Sequence, residues 1–230
     1  MSQGKNNIVS LSGGKDSTYL ALTEPGELLF FDTGLDFPEM ATHLTDLQNH
    51  LGKEITSVGH HKDFKDLLLY RYGWPSRGNT WCKRKKIDAL KKYSRGRTEL
   101  IGFSKEEIHR CNSKEFKNRD VRFPMIERGI TGDHALKYCR TKGFDWSGLY
   151  APGRFERVSC FCCPNKRIGE LRVLRNYHPD LWGQMLEWET IMKNNGVYHG
   201  FHKDIGIHDY DRRFAEEDRQ MDLFPEMEAL

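Results

Sequence analysis

The chain has 230 residues, 37% of them hydrophobic and 30% charged, with a formal net charge of +3. That composition supports a packed core beneath a solvated surface, which excludes wholesale disorder, and so mild a positive charge suits a phosphate-bearing ligand without implying nucleic acid by itself. The longest apolar runs, Leu28 to Phe31 and Leu67 to Tyr70 among them, span four residues, against about 20 for a bilayer crossing. The polar start Met1 to Asn7 holds no apolar signal region, so a cytoplasmic protein without a membrane partner is expected.

In chain order, β-rich runs at Ile8 to Leu11, Leu28 to Phe31, Ile55 to Val58 and Glu99 to Phe103 alternate with helix-like stretches. This is the pattern of βαβ units around a parallel sheet. Met40, Leu44, Leu47 and Leu51 follow Pro38 at helical spacing and predict an amphipathic crossover helix. Beyond residue 104 the strand signals fade. Helices are expected over residues 133–142, 168–176 and 179–194, and a charged surface helix with a frayed end over 209–230. Leu181, Trp182, Met185, Leu186, Trp188 and Met192 read as core or docking residues. The fold class is therefore α/β, a parallel sheet flanked by helices, with a helical, cysteine-bearing C-terminal part.

The strongest local signal is Ser12-Gly13-Gly14-Lys15-Asp16-Ser17, directly after the first strand and before a helical run. Two glycines let the backbone turn sharply and bring its N–H groups to an anion. The helix N-terminus adds its dipole and Lys15 a point charge, so the loop is expected to hold phosphate or pyrophosphate. Asp16 in such a site makes sense if it orients Lys15 or holds a divalent cation, with Mg2+ as the candidate. Its plain alternative is a helix N-terminal carboxylate stabilised by the dipole.

The string SGGKDS resembles the PP-loop of the adenine-nucleotide α-hydrolase superfamily. Phe31-Asp32-Thr33-Gly34-Leu35-Asp36-Phe37-Pro38-Glu39 resembles the DTGxxFPE segment of phosphoadenosine phosphosulfate (PAPS) reductases. Trp81-Cys82 with Lys86, Ile101-Gly102-Phe103 with Glu107 and Arg110, and Arg157-Val158-Ser159-Cys160-Phe161-Cys162-Cys163-Pro164 are similar to further blocks of the same family, over about residues 7–190. The last block and Gly143-Phe144-Asp145-Trp146 look most like PAPS reductase-like proteins of bacteria, phages and mobile elements, a group related to the DndC protein of DNA phosphorothioation. The resemblance implies a Rossmann-like fold, residues 1–104 as the nucleotide-binding core and 105–230 as its helical, cysteine-bearing completion. It implies ATP or a PAPS-like adenine nucleotide held by Ser12, Gly13, Gly14, Lys15, Asp16, Ser17, Asp32, Thr33 and Gly34. Lys15 and Asp16 are the catalytic candidates. Nucleic acid and subunits of a defence complex are the partners it suggests.

Cys160 and Cys163 form a CxxC with Cys162 between them, and Cys82 lies 78 residues upstream of Cys160. Soft thiolates in this spacing select zinc or an iron–sulfur cluster. Related sulfonucleotide reductases use a Cys-Cys pair before a CxxC to hold a [4Fe–4S] cluster, and Trp81 stands at the first position of that pair. A fourth ligand must then come from Cys139, Cys162 or Cys111, of which Cys139 is preferred. His199, His202 and His208 with Asp204 and Asp209 are spaced too irregularly for a metal site.

The family's ECGxH motif is matched only by Asp204-Ile205-Gly206-Ile207-His208, where isoleucine replaces the nucleophilic cysteine. The expected activity is therefore action at the α-phosphate of an adenine nucleotide, in sulfur-related, nucleic-acid-modification or defence chemistry. PAPS or APS reduction and a non-catalytic nucleotide-binding subunit are the alternatives.

Overall fold

The computed structural model describes residues 6–59, 61–76, 78–158 and 160–223. The chain divides into two compact units, Met1–Lys62 with Cys82–Phe161 and Asp63–Trp81 with Cys162–Leu230.

The first unit is built on five strands: β1 (Asn7–Leu11), β2 (Glu27–Phe31), β3 (Ile55–Val58), β4 (Thr98–Ile101) and β5 (Val121–Arg122). All pair in parallel in the order β3-β2-β1-β4-β5. Ile8, Val9, Leu28, Leu29 and Leu100 are completely buried. A parallel strand covered on both faces needs such continuous apolar runs, and each side chain buried this way stabilises the fold by about 2 kcal/mol. Helices α1 (Lys15–Thr23), α2 (Pro38–Leu51) and α4 (Trp81–Tyr93) connect or flank these strands. Two more, α5 (Pro124–Glu127) and α6 (Gly132–Thr141), follow β5. Pro38 opens α2, and Met40 and Leu47 are buried on one side of it. Thr131 caps α6 by accepting the His134 N–H at 3.1 Å.

This is the expected Rossmann-like α/β fold, with two differences. Strand β4 ends at Ile101, so Gly102 and Phe103 belong to the exit loop, and β5 adds a strand where none was expected. With two residues, β5 is too short to show an alternating or continuous apolar pattern.

The second unit, from Asp63, contains the rest of helix α3 (His61–Leu67) with its π-helical continuation Leu68–Tyr72, and α7 (Ile168–Tyr177), α8 (Pro179–Asn194) and α9 (Ile207–Leu223). Trp182, Met185, Trp188 and Met192 are buried along α8, as a core helix requires. Ile207, Tyr210 and Phe214 are buried as well, so α9 has an apolar face at helical spacing and is more than the surface helix expected. Residues 224–230 of that expected helix lie outside the described residues. Arg172 and Arg175 of α7 pair with Asp211, Glu217 and Asp218 of α9. No helix among the described residues is long and apolar enough to cross a membrane.

Candidate functional site

In a sheet of this order, ligands bind outside the carboxyl ends of the strands where neighbouring connections diverge. That point lies between β1 and β4, and the Ser12–Ser17 loop leaves β1 there. Gly13 has φ +76, and a Cβ on it would run into the Met40 side chain. Gly102, leaving β4, approaches so closely that a Cβ would sit 3.0 Å from the Asp16 carbonyl and the Ser17 nitrogen. Only glycine allows the two backbones to come together here.

Three consecutive peptide groups of the loop are gripped from residues 139–150. The Trp146 indole donates to the Gly13 carbonyl at 2.7 Å. The Lys15 amide donates to the Tyr150 phenol oxygen at 3.1 Å. The Cys139 thiol points to the Lys15 carbonyl at 3.6 Å. Pinning the Gly13 carbonyl also aims the Gly14 N–H, since both belong to one planar peptide and point in opposite directions.

A chain of side chains reinforces this. Thr18 donates to the same Gly13 carbonyl at 3.3 Å, and its hydroxyl lies 2.9 Å from His43 Nε2. With the Thr18 proton committed to Gly13, the bond network assigns the Nε2–H tautomer to His43. The His43 ring stacks on Trp146 with centroids 4.7 Å apart. Burial pushes its pKa down to about 4, so it is neutral at pH 7. Trp146 and Ser147 both have positive φ, +54 and +51, a strained conformation for non-glycine residues that the surrounding bonds must hold.

Lys15 Nζ pairs with Asp16 Oδ2 at 2.8 Å. The Asp16 carboxyl is pushed above its ordinary range by burial, which outweighs the lowering by Lys15. Its other oxygen, Oδ1, is buried without a hydrogen-bond partner among the described residues. Beside the pair opens a cavity of about 270 Å³ lined by Lys15, Arg157 and five acidic residues, Asp16, Glu106, Glu107, Asp133 and Glu156, with Ser104 and Gly132. Glu107 accepts both Arg110 (2.6 Å) and Arg157 (3.1 Å). Arg110 also lies over the Phe103 ring, 3.9 Å from its centroid. The cradle fits a phosphate chain: bare glycines, a helix N-terminus, a lysine and an orphaned carboxylate oxygen suited to a cation.

At the end of β2, Asp32 accepts the Gly34 N–H at 2.8 Å, closing a turn. Thr33 is buried, donates to Asp36 at 3.0 Å and lies 3.3 Å from the Cys160 sulfur. The Phe161 amide donates to the Leu35 carbonyl at 2.9 Å, so the Cys160 segment runs along this turn. Burial raises the Asp36 carboxyl above its ordinary range, with Lys86 and the Thr33 hydroxyl opposing the shift.

A family model described as the phosphoadenosine phosphosulfate reductase domain matches residues 6–166. The chain belongs to the PAPS reductase domain family. It is also 27% identical over 209 residues to MJ0066, an uncharacterised protein of Methanocaldococcus jannaschii, covering 84% of this chain. The match spans 42% of that relative's length.

All six cysteines are thiols rather than disulfides. Of the expected metal ligands, Cys82 and Cys160 belong to the first unit and Cys163 to the second. Cys139 is buried at the phosphate loop, and burial together with neighbouring Asp16 pushes its thiol up to about 12. A bound metal would take the thiol as a thiolate. Among the described residues, no group of three or more His, Cys, Asp or Glu side chains is arranged to hold a metal ion.

In the second unit, His202 bridges the Tyr210 hydroxyl (2.8 Å) and the Pro164 carbonyl (2.9 Å), which ties down the segment after Cys163. His199 lies 2.7 Å from the Tyr72 carbonyl and His208 3.1 Å from the Leu186 carbonyl. These histidines have structural partners.

The residues that sequence reasoning missed are those that hold the loop from a distance: His43, Tyr150 and, within a quoted block, Trp146. Arg157 was likewise quoted without a role.

Proposed function

We propose that this PAPS reductase family chain binds ATP or a related adenine nucleotide through Ser12 to Ser17, with Asp32, Thr33 and Gly34 near the nucleoside, and acts at the α-phosphate. The observation that carries the reading is the loop itself, a glycine turn at a helix N-terminus with Lys15 and an orphaned Asp16 oxygen beside an open cavity. Lys15 Nζ and the loop amides would stabilise the charge that develops as water attacks the α-phosphorus, the α–β bridging bond breaks and pyrophosphate leaves, giving AMP. Asp16 keeps Lys15 oriented and offers Oδ1 to a divalent cation, Mg2+, which would neutralise charge on the phosphates.

Cys82, Cys160 and Cys163, with Cys139 as the fourth ligand, are the thiols we assign to a [4Fe–4S] cluster, with zinc as the alternative; a cluster would supply electron or sulfur chemistry. The acceptor we propose belongs to sulfur-related or nucleic-acid-modification chemistry, including defence, as the resemblance to DndC-like proteins implies.

The test is incubation with ATP labelled at the α-phosphate. We expect AMP and pyrophosphate in equal amounts, with turnover reduced about a hundredfold or more in Lys15→Ala, as for loss of one preorganised charge-stabilising group. Release of ADP and phosphate, or no difference between the two proteins, contradicts action at the α-phosphate.

A further inference from the structure

Lys15 is the first residue of α1, so its N–H is one of the amides that the helix leaves without an acceptor. In a phosphate cradle such amides are what the anion takes. Here the position is filled by the Tyr150 hydroxyl, 3.1 Å away, from a side chain 135 residues downstream. Tyr150 is 8% exposed, and its ring meets Trp146 edge-on at 4.9 Å. A phenol oxygen has two lone pairs and one proton. The Lys15 amide takes one lone pair, and among the described residues the proton has no acceptor.

The charged and titratable groups around the phenol leave its role as a donor intact. Asp16 and Cys139 oppose its ionisation, burial opposes it more strongly, and the Arg140 guanidinium is engaged with the Tyr150 carbonyl at 2.9 Å.

Resting on the phosphate-loop reading above, we propose that Tyr150 is itself a phosphate-binding residue: its phenol accepts the Lys15 amide and donates its own proton to an oxygen of the bound phosphate chain. The oxygen of the side chain stands where a phosphate oxygen would otherwise sit, and it passes the hydrogen bond on. Each bond in such a relay polarises the next, so the donated proton is a stronger donor than that of an isolated phenol. The loop thereby gains an oxyanion ligand that no local motif contains.

The experiment titrates the full chain calorimetrically with ATP, pyrophosphate and adenosine. Tyr150→Phe keeps the ring and deletes the hydroxyl. It should weaken ATP and pyrophosphate by about tenfold or more, the range for losing a hydrogen bond to a charged group, and leave adenosine unchanged. A chain carrying 3-fluorotyrosine at position 150 retains the hydroxyl and supplies a fluorine resonance. That resonance should shift during the pyrophosphate titration and saturate with the heat signal, which a purely structural phenol would not do.

A Tyr150→Phe chain that binds both phosphates within about twofold of wild type, or a fluorine resonance unmoved at saturating pyrophosphate, overturns the proposal. The fluorotyrosine measurement decides the matter even if Tyr150→Phe fails to fold. A wild-type chain that binds neither phosphate ligand overturns the phosphate-loop reading together with the proposal, and is distinguishable from a wild type that binds beside a variant that binds equally well.

Discussion

His43 shows how a single buried residue couples the site to pH. Its ring is 4% exposed, bonded to Thr18 and stacked on Trp146, and its pKa falls from 6.5 to about 4. Because the folded-state value lies below the unfolded one, the stabilisation is complete above pH 6.5 and is lost as the pH falls toward 4, where the unfolded chain takes up a proton that the fold refuses. A shift of this size corresponds to on the order of 3 kcal/mol over that window. We therefore expect the melting temperature of the wild type to drop between pH 6.5 and 4, and His43→Gln to show a distinctly shallower drop. Parallel profiles in the two proteins would contradict the assignment of His43 as a neutral buried base. None of this was legible in the sequence, where a histidine within an amphipathic helix carries no sign of its partner. The partner, Thr18, is 25 residues away and belongs to another helix.

At the scale of elements, the four principal strands and the helices over 179–194 and around 132–141 were legible because their signals are local: continuous apolar runs, Pro38 at a helix start, side chains recurring at helical spacing. The phosphate loop was legible for the same reason. Its buttress was not, because Trp146 and Tyr150 meet the loop only through tertiary folding, across 133 and 135 residues. The positive φ at Trp146 and Ser147 is a cost that the bonds around this segment must offset. Trp146→Phe would keep a ring against His43 while deleting the bond to the Gly13 carbonyl. We expect it to cost about 1 kcal/mol of stability, to lower the melting temperature by roughly 2–4 °C, and to weaken ATP binding about tenfold as the Gly14 N–H loses its fixed direction. A variant that melts lower yet binds ATP like wild type would confine Trp146 to packing. The cysteines divide similarly. The CxxC spacing named a metal chemistry, whereas the burial of Cys139 is a tertiary property. In anaerobically purified protein, Cys139→Ser, Cys160→Ser and Cys163→Ser should each lower bound iron or zinc. Metal retained in full by Cys139→Ser would remove Cys139 from the ligand set.

At the scale of the whole molecule, the PAPS reductase domain match covers residues 6–166, and Asp204–His208, the stretch that resembles the ECGxH motif, carries isoleucine at position 205. Ile205 is 47% exposed at the turn before α9, where Gly206 donates to Asp209 and His208 faces α8. An alkyl side chain there can neither attack a sulfonate nor leave as a thiolate, so the chemistry we assign to this chain resides at the phosphate loop. The account stands on that loop holding the phosphates of an adenine nucleotide. Equilibrium dialysis of labelled ATP against wild type and Lys15→Ala tests it most directly. Saturable retention near one nucleotide per chain in wild type, weakened about tenfold or more in a Lys15→Ala protein of unchanged melting temperature, is the predicted result. No retention by the wild type, or equal retention by both proteins, would contradict it.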